Sequence, residues 1–226
     1  MKQASEGFGL IEIMLAMTLG LVITLGLTQL FIGAKNTYIS QNASAFMQED
    51  ARFLLSKMLQ EIRMVGMFGC LQTIDDSGRG FSAARQTPIR WNNAKHTLTL
   101  VTADVGTTGG KADWVVLSDC ESSATAYAGD REPGPGQLKF PIRQITYAYD
   151  RRGGEISGLI KNVSAFSVLF GVANTVEDTP VSRYAANPAD PRLIRSVRLS
   201  LTLSDPAKRV EDQTFTVVAA LRNRLG

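Results

Sequence analysis

Residues with the types and spacing of a catalytic centre are scarce in this 226-residue chain. Its one histidine, His96, lies in a polar segment that reads as a loop. The sequence contains no nucleophile elbow, zinc-protease helix or phosphate-binding loop motif. The Gly-x-Gly-x-x-Ala segment at 78–83 has the spacing of a dinucleotide fingerprint, but it follows acidic residues rather than a strand, so we interpret it as a turn. The sequence therefore predicts a protein that is not an enzyme and that uses no cofactor.

Glu12 is the residue whose position suggests a function. It precedes an apolar run, from Ile13 to Ala34, of 22 residues without a formal charge. As a helix this run would be about 33 Å long, which is enough to cross a bilayer core of about 30 Å. A lone carboxylate there costs several kcal/mol unless it is paired or lies near an interface. We therefore predict a membrane-spanning helix with a functional acid at its start.

This N-terminal arrangement resembles the type IV pilin family, which includes the pseudopilins of type II secretion. Members have a short basic leader that ends in Gly, then Phe, then a Glu five residues after the cleavage point, then an apolar helix. Here the leader would be residues 1–7, ending at Gly7, with Phe8 as the first mature residue and Glu12 as the acid.

The resemblance implies three events at these residues. A prepilin peptidase of the inner membrane would cleave after Gly7, and Phe8 would be N-methylated. Glu12 would then dock onto the N-terminal amine of a neighbouring subunit. The physical reason is that a carboxylate and an ammonium group are each costly alone in hydrocarbon and much less costly together.

Two simpler N-terminal segments are alternatives. A secretory signal has an apolar region of 7–15 residues and a small-residue cleavage site, whereas this run is longer and no Ala-x-Ala ends it. A plain signal anchor fits the run but leaves Glu12 unexplained.

The chain also departs from many major pilins in two ways. Gly9 stands where they carry Thr, and no proline occurs before Pro88, so the apolar helix lacks the proline that they carry.

Apolar residues spaced by three and four beyond Lys35 predict that the helix continues past the membrane. Polar residues between them, Glu61 included, complete an amphipathic pattern, and Gly66 and Gly69 are candidate terminators. We predict one helix over residues 8–68, with 8–35 as the transmembrane half and 36–68 as the amphipathic half. The predicted packing face consists of Met47, Ala51, Leu54, Met58, Ile62 and Val65.

The remainder, residues 69–226, reads as strands and turns without a second strong helix. Alternation with a period of two predicts strands near 98–100, 114–117, 145–149, 166–172, 197–203 and 215–221. Loops are predicted at 75–80, 129–136 and 186–191. The predicted fold class is α+β, with a long N-terminal helix packed on an antiparallel β-sheet domain. This is the type IV pilin fold that the resemblance implies.

Cys70 and Cys120 fall in the part of the chain that we expect to be exported. An even number of cysteines in an oxidising compartment favours a disulfide, with buried free thiols as the alternative. The bridge would join the end of the helix to the segment that follows the strand at 114–117. Two cysteines this far apart and a single histidine argue against a zinc site.

Several further segments are similar to PilW-type minor pilins. They are the opening at 7–14, the helix exit at 61–70, and the segments 145–150, 163–166 and 220–224. The resemblance implies a complex with other minor pilins that primes polymerisation of the major pilin and then sits at the pilus tip, often beneath a large adhesin. Before assembly, the chain would span the inner membrane once, with its C-terminal domain in the periplasm.

Three alternatives to a PilW-type minor pilin are consistent with the same sequence. A J-type pseudopilin of a type II secretion system has the same architecture and also lies at a tip. A DNA-uptake pilin would bind DNA through Arg192, Arg195, Arg198, Arg222 and Arg224. Beyond Glu12 the chain has 23 Lys and Arg residues and 19 Asp and Glu residues. This small excess of positive charge argues against nucleic acid as a partner. A signal-anchored periplasmic domain without any polymer is the third alternative.

Overall fold

The computed structural model describes residues 9–77, 80–104 and 111–223. The chain divides into two compact units, Met1–Phe46 and Met47–Gly226. The helices are α1 (Leu10–Met64), α2 (Phe81–Gln86) and a 3₁₀ helix (Pro191–Leu193). The strands are β1 (Asp75–Asp76), β2 (Ile89–Asn92), β3 (Thr97–Ala103), β4 (Trp114–Ser118), β5 (Ala124–Ala128), β6 (Leu138–Asp150), β7 (Glu155–Ile156), β8 (Val163–Val172), β9 (Arg183–Ala185), β10 (Ile194–Leu203) and β11 (Gln213–Ala220).

The first unit contains the apolar part of α1. Its large apolar side chains, from Leu10 to Ile32, are exposed. This part of α1 is long and apolar enough to cross a membrane. The hydroxyl groups of Thr24 and Thr28 donate to helix carbonyl oxygens at 2.7 and 2.8 Å. Because these hydrogen bonds are internal, the polar side chains need no water in a hydrocarbon environment.

The second unit begins with the part of α1 that is packed on sheets. The structure buries every residue of the predicted packing face, and Leu54, Met58 and Ile62 have no exposed surface. A helix with 3.6 residues per turn brings residues at this spacing to one side. They belong to one hydrophobic core that also includes residues of β2, β3, β6, β8, β10 and β11. Each methylene group removed from water there contributes about 0.8 kcal/mol.

Helix α1 ends at Met64 rather than at residue 68, the predicted end. Gly66 has a φ of 80°, in the left-handed region that favours glycine. Val65 already leaves the helix to form an isolated antiparallel bridge with Thr102 of β3. Of the two predicted terminators, Gly66 is therefore the one that follows the helix directly.

Two sheets form the rest of the second unit. One has the order β1-β5-β4-β6-β3-β2, with β7 added to β6, and the other has the order β11-β10-β8-β9. The strand pairs are antiparallel except for β1 with β5. The fold is thus α+β, one long apolar N-terminal helix packed on mostly antiparallel sheets, as the sequence predicts.

The segment after Gly80 differs from the prediction, because it forms the short helix α2 where no helix is expected. Residues 78 and 79 lie outside the described residues. Phe81 is buried, and its ring meets that of Phe68 edge to face at 5.4 Å. This contact, together with Val116 and Ile142, builds a second hydrophobic cluster near the helix exit.

Candidate functional site

The first turn of α1 folds Glu12 back onto Gly9. The backbone N–H of Gly9 donates to Glu12 Oε2 at 3.0 Å, and the backbone N–H of Glu12 donates to the Gly9 carbonyl at 3.1 Å. An acid in the first turn that reaches back to the residue before the helix is one half of a capping box. Its negative charge also lies at the positive end of the helix dipole. Glu12 thereby satisfies a backbone donor that lipid could not satisfy.

The surroundings of Glu12 are apolar. Its side chain is exposed and shares a shallow groove with Ile13, Ala16 and Met17. Oε2 accepts the hydrogen bond from the Gly9 N–H group, and no described residue donates to Oε1. The site thus offers one carboxylate oxygen at the edge of an apolar helix surface, which suits a cationic group from another molecule. Gly7 and Phe8, the predicted processing residues, lie outside the described residues.

The helix exit is joined covalently to the sheet. Cys70 and Cys120 form the predicted disulfide, with Cα atoms 5.4 Å apart and a sequence separation of 50. The turn that carries Cys120 is built by Asp119, whose Oδ1 accepts from the backbone N–H groups of Ser123 at 2.9 Å and Glu121 at 3.0 Å. These hydrogen bonds hold the pKa of Asp119 well below its usual range. Asp119 was not predicted from the sequence, although an Asp before small polar residues is a common turn signal.

A groove of about 850 Å³ lies beside this exit. Its lining includes Met67, Leu71, Arg85 and Arg222. Arg85 Nη2 donates to the carbonyl oxygen of Gln72, which ties α2 to the exit segment. In the described ranges no three His, Cys, Asp or Glu side chains are grouped to hold a metal ion.

Glu61 does not face solvent, although the amphipathic pattern of α1 predicts a solvent-facing position for it. Its side chain is buried, with 4% of the residue exposed. The Tyr147 hydroxyl donates to Glu61 Oε2, and Lys57 Nζ lies 2.7 Å from Oε1. Burial first, and then the hydrogen bond to Glu61, raises the pKa of Tyr147 above its usual range. This cluster fixes α1 against β6, with Glu61 and Tyr147 shielded from solvent and Lys57 partly exposed.

His96 is at the turn between β2 and β3 and packs among aromatic rings. Its ring centroid is 6.2 Å from that of Trp91 and 6.1 Å from that of Tyr149. The observed neighbours are therefore packing partners of the imidazole ring.

Three of the five arginines considered for nucleic-acid binding, Arg192, Arg195 and Arg198, have partners within the chain. Arg195 donates to the carbonyl oxygens of Asp178, Arg192 and Val176 at 2.6–2.8 Å. Arg198 lies 4.2 Å above the centre of the Tyr184 ring. Arg192 pairs with Asp190 at 2.9 Å. Arg222 is exposed, and Arg224 lies outside the described residues.

Comparisons of the chain with protein-family models, with curated proteins and with solved structures find no match. The function is therefore inferred from the residues and their geometry.

Proposed function

We propose that this chain is a type IV pilin-like subunit, most similar to PilW-type minor pilins, with the type IV pilin fold. It assembles through α1 with other minor pilins and the major pilin, and the resulting complex primes pilus polymerisation and stays at the tip. A tip adhesin is a further partner of such a complex. The role is non-catalytic.

The observation that supports this proposal is the change of burial along α1. Large apolar side chains from Leu10 to Ile32 are exposed, whereas the face from Met47 to Val65 is buried in its own unit. An exposed apolar surface of this extent has to be covered by lipid or by other proteins. A helix with an exposed apolar segment and a buried face suits a subunit that is first anchored in the inner membrane, with its C-terminal domain in the periplasm. The same exposed segment would then pack against the helices of other subunits in the pilus.

Glu12 adds the element that a plain membrane anchor does not need. Its Oε1, to which none of the described residues donates, lies at the start of the exposed apolar segment. We infer that it accepts the N-terminal amine of a neighbouring subunit, because the pair is far less costly in an apolar stack than either charge alone. The prepilin peptidase would create that amine by cleaving between Gly7 and Phe8.

The first test is the mass of the N-terminal peptide of the protein purified from its native membrane. We expect a chain that begins at N-methylated Phe8. A chain that begins at Met1, in cells with an active prepilin peptidase, would contradict the proposal. Gly7→Ala should retain the leader, and so serves as the unprocessed reference.

The second test separates membrane insertion from assembly. Glu12→Ala should be processed and remain in the membrane but be reduced at least about tenfold in sheared filaments. Glu49→Ala removes an exposed acid further along α1 and is the matched control. Normal incorporation of Glu12→Ala would refute the role of the carboxylate. If instead secretion fails and pili form normally in cells that lack the protein, the pseudopilin alternative is supported.

A further inference from the structure

Strand β11 is an unprotected sheet edge. It lies at the end of its sheet, and in the described part of the chain no strand pairs with its outer side. Natural sheets protect such edges with short strands, charges or prolines. Strand β11 has none of these over its eight residues, whereas β9, at the opposite edge, has three residues and includes Arg183. In the other sheet, the edge strands β1 and β2 have two and four residues and carry Asp75 and Arg90.

The register shows which backbone groups of β11 are free. Leu221 donates to the Arg195 carbonyl at 2.9 Å, in line with the ladder that pairs Ala219 with Val197. Backbone groups alternate in direction along a strand, so the odd-numbered residues of β11 face β10. The N–H and C=O groups of the even-numbered residues therefore point away from the sheet. These residues are Thr214, Thr216, Val218 and Ala220.

The side chains at this edge also leave apolar surface uncovered. Val218 is 49% exposed on the outer face. Phe215 and Val217, on the inner face, are only partly buried against the core. A strand added beside β11 would cover all three and bury the backbone groups as hydrogen-bonded pairs.

Opposite charges flank the edge. Asp212 precedes β11, and Arg222 follows it. Within its own copy Asp212 is hydrogen-bonded to Ser204 and lies 3.4 Å from Lys208 Nζ. The Lys208 and Asp212 side chains are both more than 40% exposed, so their ion pair contributes little. A second copy of β11 in antiparallel orientation would bring Asp212 of each copy towards Arg222 of the other. The edge is thus complementary in charge to itself.

We infer that β11 pairs with β11 of a second copy of this chain. In antiparallel pairing, the outward-facing even-numbered residues must be opposite one another. Among the registers that do this, the one with Thr216 opposite Val218 also sets position 212 of each copy opposite position 222 of the other, which brings Asp212 near Arg222. Both ion pairs then form at once. The pairing uses the same surface twice about a two-fold axis, so it closes at two copies.

This register makes a distance prediction for Val217. It lies on the two-fold axis, opposite Val217 of the second copy, in a pair without mutual hydrogen bonds. The Cα atoms of such pairs are about 4.5 Å apart, within the range that a disulfide bridges. Both native cysteines already form the disulfide, so an added cysteine is the only free thiol in the chain.

The test is oxidation of the full chain carrying Val217→Cys, purified in detergent, followed by a non-reducing gel. We expect a dimer that dithiothreitol converts back to the monomer. Thr214→Cys is the matched control, since the two added cysteines would be separated by about 20 Å along the strands and should stay monomeric. Equal dimer from both variants would indicate random collision, and no dimer from Val217→Cys would also overturn the inference.

Charge reversal tests the register separately. In the Val217→Cys background, Asp212→Arg or Arg222→Asp alone should lower the dimer fraction about fivefold, because like charges then face each other. The two reversals together should restore it. If they do not, while the Cys70–Cys120 disulfide and the circular dichroism spectrum are retained, the register is wrong. These outcomes do not depend on filament assembly, so they can fail independently of the proposed function.

Discussion

The carboxyl group of Glu61 on α1 accepts a hydrogen bond from the hydroxyl group of Tyr147 on β6, and both side chains are buried. The residues are 86 positions apart in sequence, so the bond ties the helix to the centre of the larger sheet. The other carboxyl oxygen is 2.7 Å from Lys57 Nζ. A buried acid with both oxygens partnered is tolerated, whereas loss of one partner leaves a polar atom unsatisfied.

Removal of the Tyr147 hydroxyl should therefore be costly. We expect Tyr147→Phe to lower the free energy of unfolding by about 2 kcal/mol, since a hydrogen bond to a charged group contributes about 1.5–3 kcal/mol. Tyr149→Phe is the comparison, because its hydroxyl donates to the neutral Ser164 carbonyl at 3.0 Å and should cost about 1 kcal/mol. Urea unfolding in detergent can be followed by Trp91 and Trp114, which both lie in the second unit. Equal losses in the two variants would contradict a special role for Glu61.

Because of the Tyr147 hydroxyl group, we also expect the free energy of unfolding to depend on pH in the alkaline range. The pKa of Tyr147 is raised in the folded chain, by burial and then by Glu61, above the unfolded value of about 10. Its contribution is thus fully present below pH 10 and is lost as the pH rises further, by about 1.4 kcal/mol per pH unit. Tyr147→Phe lacks this loss, so the stability gap between wild type and variant should narrow from pH 8 to pH 11. Parallel stability curves over that range would refute the prediction.

The disulfide should contribute a large share of the stability of the second unit. It closes a loop with a sequence separation of 50, for which chain entropy gives about 4 kcal/mol as an upper value. We expect Cys70→Ser with Cys120→Ser to lower the urea midpoint and the free energy of unfolding by up to that amount. Dithiothreitol should lower the wild-type midpoint similarly and leave the double variant unchanged. A wild-type midpoint that does not respond to dithiothreitol would show that the bridge is not stabilising.

Much of this fold follows from periodicity in the sequence. The spacing of Met47, Leu54 and Met58 identifies the buried face of α1, and the alternation in β8 and β10 identifies strands. Both patterns arise because one side of the element is removed from water. The disulfide could also be predicted, from the even number of cysteines and from the expectation that both lie in an oxidising compartment.

Other features depend on partners that are distant in the chain. Glu61 reads as a solvent-facing acid until β6 brings Tyr147 to it. Strand β5 is alanine-rich, with the sequence Ala-Thr-Ala-Tyr-Ala, and forms against β4 rather than by its own propensity. At the candidate site, Glu12 could be identified from the sequence, whereas its hydrogen bond to Gly9 required the geometry of the first turn.

Gly171 and Ser196 provide a test of packing between β8 and β10, where they are opposite each other. A Cβ atom added at Gly171 would lie 2.3 Å from Ser196 Oγ and 3.0 Å from Val181 Cγ1. Such overpacking predicts that Gly171→Ala lowers the free energy of unfolding by about 1–3 kcal/mol. Among the described residues, Ser196 Oγ is buried without a hydrogen-bond partner, so Ser196→Ala should be neutral or stabilising.

A double-mutant cycle between the two positions isolates the clash. Because Ser196→Ala removes the nearest atom, Gly171→Ala should cost at least about 0.5 kcal/mol less in that background than in the wild type. The contact with Val181 remains, so the rescue should be partial. Ser200→Ala, on the same strand, is the control background and should leave the cost of Gly171→Ala unchanged, because Ser200 Oγ lies 3.1 Å from Thr216 Oγ1 instead. Additive effects at Gly171 and Ser196 would mean that β8 and β10 shift apart to admit the methyl group rather than pressing it against the hydroxyl.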